Sequence, residues 1–83
     1  MHGKYALSER AYTLSERMYE RMDAMGMSSK QLARDSGASM TAINQYLAAK
    51  VQPGCFVLRD IARALRCSSD WLMGGEMEGR DAR

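Results

Sequence analysis

Four side chains between residues 40 and 45 are able to make hydrogen bonds or apolar contacts with a common target. If residues 39–48 form a helix, its one face carries Met40, Thr41, Asn44 and Gln45. The amides can bond N6 and N7 of adenine, the hydroxyl can bond a base or contact a thymine methyl, and the thioether can make apolar contacts. An amide on a helix surface is otherwise simply solvated, so the surrounding elements decide what this face indicates.

No comparable set suits catalysis or metal binding. The only histidine, His2, lies at the N-terminus, and neither Cys55 nor Cys67 has a histidine or acidic partner nearby in a helical arrangement. Both cysteines have apolar neighbours, which is typical of reduced thiols in a core. The sequence also lacks a glycine-rich phosphate loop. We therefore expect no enzyme activity, no metal, no cofactor and no small-molecule substrate.

The composition predicts one folded domain. A chain of 83 residues is too short for two cores, and a hydrophobic content of 46% is too high for a disordered chain. No stretch reaches the roughly 20 apolar residues that span a bilayer. Residues 1–5 lack the apolar region of a secretory signal. We expect a cytoplasmic protein without a membrane partner.

Positive charge is concentrated in the middle of the chain. The formal net charge is only +2, but residues 24–67 contain six bases and two acids and so carry +4. The acids gather in the first predicted helix and in residues 74–83. A basic central segment can bind a polyanion. The alternative is that these charges only form a solvated face.

The first predicted helix begins at Thr13 and ends near residue 25. Thr13 and Glu16 have the spacing of a capping box, in which each side chain bonds the other's free amide. Apolar residues then recur on one face, and Gly26 follows as a C-cap. Arg17 and Arg21 fall on the face predicted to be solvated.

A repeated heptad precedes and overlaps this helix. The sequence Leu-Ser-Glu-Arg occurs at residues 7–10 and again at residues 14–17, with tyrosines in matching places at Tyr12 and Tyr19. Two copies are too few to predict a coiled coil. Residues 1–12 are therefore expected to be either an N-terminal arm or a helix extension.

Four shorter helices are predicted after the first. Ser28 or Ser29 caps a second helix that stops at Gly37, and Ser39 caps a third. A loop at residues 52–54 separates these from a fourth helix and a short fifth, both marked by apolar spacing. Two short helices joined by a tight turn with glycine have the sequence form of a helix-turn-helix. The predicted domain spans 13–73, and a flexible polar tail spans 74–83.

Residues 26–47 resemble the helix-turn-helix of the Cro/repressor-type family. The small residue Ala33, the turn residue Gly37 and the buried aliphatic Ile43 fall at the family's intervals, and the likeness extends over about residues 14–73. It implies a compact, all-α, five-helix, lambda-repressor-like domain whose third helix lies in the DNA major groove. The relatives it suggests are phage Cro-like proteins and small controller regulators, in a prokaryotic or phage-infected cell.

The resemblance assigns roles to individual residues. The implied base-reading set is Met40, Thr41, Asn44 and Gln45. Phosphate contacts are expected from Ser28, Ser29, Lys30, Lys50 and Gln52, with plain solubility as the alternative for the two lysines. The chain departs from the family pattern at Ser29, where many members carry glutamine, and at Ala49, where glycine usually follows the recognition helix.

The resulting hypothesis is a transcriptional regulator, in its simplest form a repressor, that binds a palindromic operator in double-stranded DNA as a homodimer. Dimer contacts are expected from Phe56, Trp71, Leu72 and Met73. Residues 7–19 are the second choice for that surface. The alternative is a protein-interaction module with the same fold, such as an antitoxin or an antirepressor.

Overall fold

The computed structural model describes the backbone of residues 2–75 and the side chains of residues 11–75. This part of the chain contains five helices and no strand, which confirms the all-α prediction. The helices are α1 (His2–Met25), α2 (Ser29–Ser36), α3 (Met40–Leu47), α4 (Cys55–Leu65) and α5 (Ser69–Leu72). From residue 76 onward, the expected flexible tail lies outside the described residues.

The helix α1 is longer than the capping box predicted. It begins at His2 and continues through Thr13, so the prediction that Thr13 starts the helix is wrong. No glycine or proline interrupts residues 4–25, and a helix without such breakers continues past a residue that could cap it. The first copy of the repeated heptad, residues 7–10, lies outside the residues whose side chains the structure describes.

Serine side chains fix the starts of α2, α3 and α5. The Oγ atom of Ser28 accepts a hydrogen bond from the amide three residues later at 3.1 Å, and Ser39 and Ser68 accept in the same way at 3.0 Å. Each bond satisfies an amide that has no partner within the first helical turn. The caps predicted at Ser28 and Ser39 are confirmed.

One hydrophobic core joins all five helices. The helix α1 packs against α3, α4 and α5, and α2 packs against α3 and α4. The most deeply buried large side chains are Met18, Leu32, Ile43, Ile61, Leu65 and Leu72. Burying one such side chain contributes about 1.5–3 kcal/mol. The position of α3 is therefore set by its contacts with α1 and α2.

A buried hydrogen bond ties α1 to the end of α3. Ser15 is only 7% exposed, and its Oγ donates to the carbonyl of Leu47 at 2.6 Å. The last carbonyls of a helix have no partner within that helix. Ser15 therefore supplies a donor that Leu47 would otherwise lack in a site closed to bulk water.

Two arginines of α1 act in the same way on the ends of α4 and α5. Arg21 Nε donates to the carbonyl of Leu65 at 2.9 Å. Arg17 donates to the carbonyl of Trp71, and its guanidinium lies 4.8 Å from the centre of the indole ring. A cation at a helix C-terminus also interacts favourably with the helix dipole. The prediction that both arginines lie on a solvated face is therefore wrong. Helical spacing within α1 could not reveal their partners, because those partners lie far along the chain.

The end of α3 uses a backbone conformation that favours glycine. Ala49 has a φ of 61°, in the left-handed region, where a Cβ costs roughly 1–2 kcal/mol. The amide of Ala49 bonds the carbonyl of Tyr46 at 3.1 Å, and the amide of Lys50 bonds the carbonyl of Gln45 at 3.0 Å. These two bonds form a Schellman motif. The chain therefore keeps the turn geometry that glycine favours, although it has alanine there.

The two cysteines have different environments. Burial raises the pKa of the Cys67 thiol from 9.0 to about 11, while the charge of Arg21 acts in the opposite direction. This thiol is therefore protonated at neutral pH. Cys55 is exposed, so the prediction that it is a core thiol is wrong. It is the first residue of α4 and lines a groove at the surface.

Replacing Ser15 with alanine should lower the free energy of unfolding by about 1–3 kcal/mol, because the buried carbonyl of Leu47 would lose its donor. Urea unfolding followed by circular dichroism measures this change. The matched control is Glu16→Ala on the exposed side of α1, which should stay within about 0.5 kcal/mol. Equal effects of the two substitutions would contradict the role given to Ser15.

Replacing Ala49 with glycine should raise the free energy of unfolding by about 0.5–1 kcal/mol. Relief of the left-handed strain exceeds the extra conformational entropy that glycine gives the unfolded chain. Ala48 is the control, because its φ of −85° is ordinary and Ala48→Gly should destabilise. If both glycine variants are destabilised to the same extent in thermal unfolding, Ala49 is not strained.

Candidate nucleic-acid interface

The helices α2 and α3 are joined by a tight turn of residues 37–39. Gly37 has a φ of 80°, and its amide bonds the carbonyl of Ala33 at 3.0 Å. Glycine adopts this conformation without steric cost. Ala33 is buried and Ile43 is fully buried, so the small residue, the turn and the anchor each occupy the place that the sequence predicted. Together they hold α3 against α2.

The two faces of α3 differ sharply in burial. Ile43, Tyr46 and Leu47 are at most 8% exposed and belong to the core. The opposite face is exposed and carries all four residues of the base-reading set: Met40, Thr41, Asn44 and Gln45. The core contacts of one face therefore fix the direction in which the other face points.

A shallow depression on this exposed face brings five residues together. It is lined by Thr41, Asn44, Gln45, Ala48 and Lys50. Three members of the base-reading set and one expected phosphate contact thus share one surface, whereas Met40 is exposed outside it. Ala48 was not among the sequence-predicted site residues. Its position seven residues after Thr41 on the same helical face is the signal that could have identified it.

The remaining expected phosphate contacts lie in two other places. Ser28, Ser29 and Lys30 are at the start of α2, where helix amides and the positive end of the helix dipole favour anions. Lys30 is exposed. Gln52 is also exposed, but it lines an apolar groove on another part of the surface and not the depression. The structure therefore groups Lys50 with the base-reading set and places Gln52 elsewhere.

The basic residues of the middle segment do not all face α3. Arg34 and Arg63 line a cleft between α2 and α4, together with Asp35 and Asp60. Arg59 forms an ion pair with Asp60 at 3.2 Å. Acidic neighbours therefore offset much of the positive charge on this side of the domain. No acidic residue lines the depression beside Lys50.

Exposed apolar side chains and a groove occur in the segments around the start of α4. Phe56 is 70% exposed and Met73 is 58% exposed. The groove itself is lined by Leu14, Gln52, Pro53, Cys55, Leu58 and Met73. Val51 adds a further exposed aliphatic side chain at the end of the preceding turn. We call Val51, Phe56, Met73 and this groove the apolar end surface.

Two of the expected dimer residues do not belong to the apolar end surface. Leu72 is fully buried in the core of its own chain, so the prediction that it contacts a second copy is wrong. Trp71 is partly buried, and Arg17 lies over its ring. Helical spacing alone did not distinguish Leu72 from Met73, because α5 is a single turn and its orientation depends on contacts with α1 and α4.

Two classes of feature are missing from the described part of the chain. Residues 11–75 hold no group of three or more histidine, cysteine or acidic side chains placed to bind a metal ion. Among the helices that the structure describes, none combines the length and the apolar character needed to cross a bilayer.

Comparison with known families agrees with this geometry. A helix-turn-helix family model matches residues 18–72, which is more than half of the chain. The match covers all of α2 and α3 and ends at the last residue of α5. It confirms the resemblance drawn from residues 26–47. The chain therefore belongs to the Cro/repressor-type helix-turn-helix family of DNA-binding transcriptional regulators.

Proposed function

We propose that this protein is a sequence-specific transcriptional regulator that inserts α3 into the DNA major groove. The observation that carries the proposal is the exposed polar face of α3, which lies opposite a face anchored in the core. Side chains at the start of such a helix reach base edges in the major groove. Thr41, Asn44 and Gln45 supply the donors and acceptors for that contact.

We propose that two sites flanking α3 contact the phosphates of the DNA backbone. Lys50 follows the recognition helix and borders the depression. At the start of α2, the free amides, Ser28, Ser29 and Lys30 offer hydrogen bonds and charge to a phosphate. Contacts of this kind position the protein on the duplex without reading its sequence.

We further propose that the protein acts as a homodimer on a roughly palindromic site. The helix α3 has 8 residues and is therefore only about 12 Å long, so one copy reads few base pairs. Two copies related by a twofold axis would place their recognition helices about 34 Å apart on one side of the duplex. The apolar end surface, with Phe56 and Met73 exposed, supports a contact between copies.

Repression in the cytoplasm of a prokaryotic or phage-infected cell is the regulatory outcome that we propose. A dimer that covers a promoter excludes RNA polymerase from the same DNA by occupancy alone. This mode requires no surface beyond the DNA-binding face and the dimer contact.

Replacing Lys30 or Lys50 with alanine should weaken binding to every DNA sequence and reduce the slope of log affinity against log salt by about one unit each. Fluorescence-anisotropy titrations between about 50 and 200 mM salt measure the slope. Arg63→Ala is the control, because Arg63 lies in the cleft with Asp60 and its loss should leave the slope unchanged.

A slope unchanged by both lysine substitutions would contradict their phosphate role. If the parent protein bound no duplex at any salt concentration, the regulator proposal would fail and the protein-interaction alternative would replace it.

Replacing Phe56 with aspartate should separate the dimer, because it puts a charge into the proposed apolar contact. Sedimentation of the full chain with an operator duplex should give two protomers per duplex for the parent and one for Phe56→Asp. Tyr19→Asp, on the exposed side of α1, is the matched control and should keep two. If only Tyr19→Asp reduces the count to one protomer per duplex, the dimer contact lies on α1. A single protomer per duplex for the parent would contradict the dimer.

A further inference from the structure

The exposed face of α3 contains no charged side chain. Its residues in the described helix and at its end are Met40, Thr41, Asn44, Gln45 and Ala48, all of them exposed. The contacts that distinguish guanine and cytosine most strongly use other groups. Arginine or lysine bonds O6 and N7 of guanine, and a carboxylate accepts from N4 of cytosine. Neither kind of group is present on this face.

Charged residues of the neighbouring elements do not supply the missing groups. The proposed function assigns Lys30, in the first turn of α2, to a phosphate. Arg34 lines the cleft with Asp60 and Arg63, between α2 and α4. Lys50 lies beyond the C-terminal end of α3, whereas base edges are reached from the N-terminal part of a recognition helix. The amides of Asn44 and Gln45 are therefore the strongest hydrogen-bonding groups available to a base on this face.

A carboxamide can make a bidentate pair with adenine, but with guanine it can only donate. Adenine presents N7, which accepts, and the N6 amino group, which donates, so one amide can make both bonds at once. Guanine presents two acceptors, N7 and O6. An amide oxygen directed at O6 would have no donor to bond, and a polar group left unpaired in an interface weakens binding.

The apolar members of the same face suit thymine. Met40 and the γ-methyl group of Thr41, both in the first turn of α3, can each contact the C5-methyl of thymine, which distinguishes this base in the major groove. An adenine–thymine pair therefore offers partners to both the amides and the apolar groups. In a guanine–cytosine pair, neither base by itself offers both a donor and an acceptor to an amide, and the pair has no methyl group.

We infer that α3 reads adenine–thymine pairs, so that each operator half-site has adenine at the positions contacted by Asn44 and Gln45. This inference rests on the proposed function, because it specifies the DNA that the proposed recognition helix selects. It makes the two amides specificity-determining residues, with Met40 and Thr41 favouring thymine beside them.

Selection of bound sequences from random duplex DNA with the full chain tests the inference. The expected result is a motif in which Asn44→Ala and Gln45→Ala each lose the preference for adenine at one position. Each substitution should weaken binding to the selected duplex about 5- to 150-fold. Glu20→Ala is the control, and it should leave the base preference unchanged because Glu20 is exposed on α1 and lies outside the depression.

A gain-of-function variant sharpens the test. Gln45→Arg should change the preferred base from adenine to guanine at the position assigned to Gln45, because arginine bonds O6 and N7. A parent motif with guanine–cytosine pairs at the amide-assigned positions would overturn the inference and leave the regulator proposal intact. A parent protein that enriches no sequence and binds no duplex would overturn both.

Discussion

Side chains of α1 donate hydrogen bonds to carbonyl groups at the C-terminal ends of α3, α4 and α5, and of these the Trp71 carbonyl also accepts from the amide of Gly74. Ser15 bonds Leu47, Arg21 bonds Leu65 and Arg17 bonds Trp71, each through the partner's backbone carbonyl. Short helices leave a large share of their backbone groups unpaired at the ends, and leaving such groups without a partner in a core costs about 1–3 kcal/mol each. One long helix therefore holds the ends of three short ones in register.

This arrangement determines what α3 can present to a ligand. Its first turn is capped by Ser39, its last carbonyl is bonded by Ser15, and Ile43 anchors its inner face. Ala49, whose backbone is in the left-handed region, follows the end of the helix. Lys50 then borders the depression on the exposed face of α3. A recognition helix fixed at both ends and along one face presents its other side chains in a defined geometry, which reading base edges requires.

Local chemistry explains which features the sequence predicted well. The caps at Ser28 and Ser39 and the turn at Gly37 depend on residues within three or four positions, so pattern alone identifies them. The exposed face of α3 followed from helical periodicity. The errors at Arg17, Arg21 and Leu72 involve distant partners: the two arginines bond carbonyls of α5 and α4, and Leu72 is buried by α1 and α4. No spacing rule within α1 or α5 contains that information.

The central claim is that the exposed amides of α3 contact DNA bases, and nuclear magnetic resonance tests it most directly. Titration of the labelled protein with its selected duplex should shift and protect the side-chain amide resonances of Asn44 and Gln45, together with the backbone of α3. The resonances of Glu16 and Tyr19, on the outer side of α1, should stay unchanged. Shifts confined to α1 or to the apolar end surface, with both side-chain amides unaffected at saturation, would contradict the account.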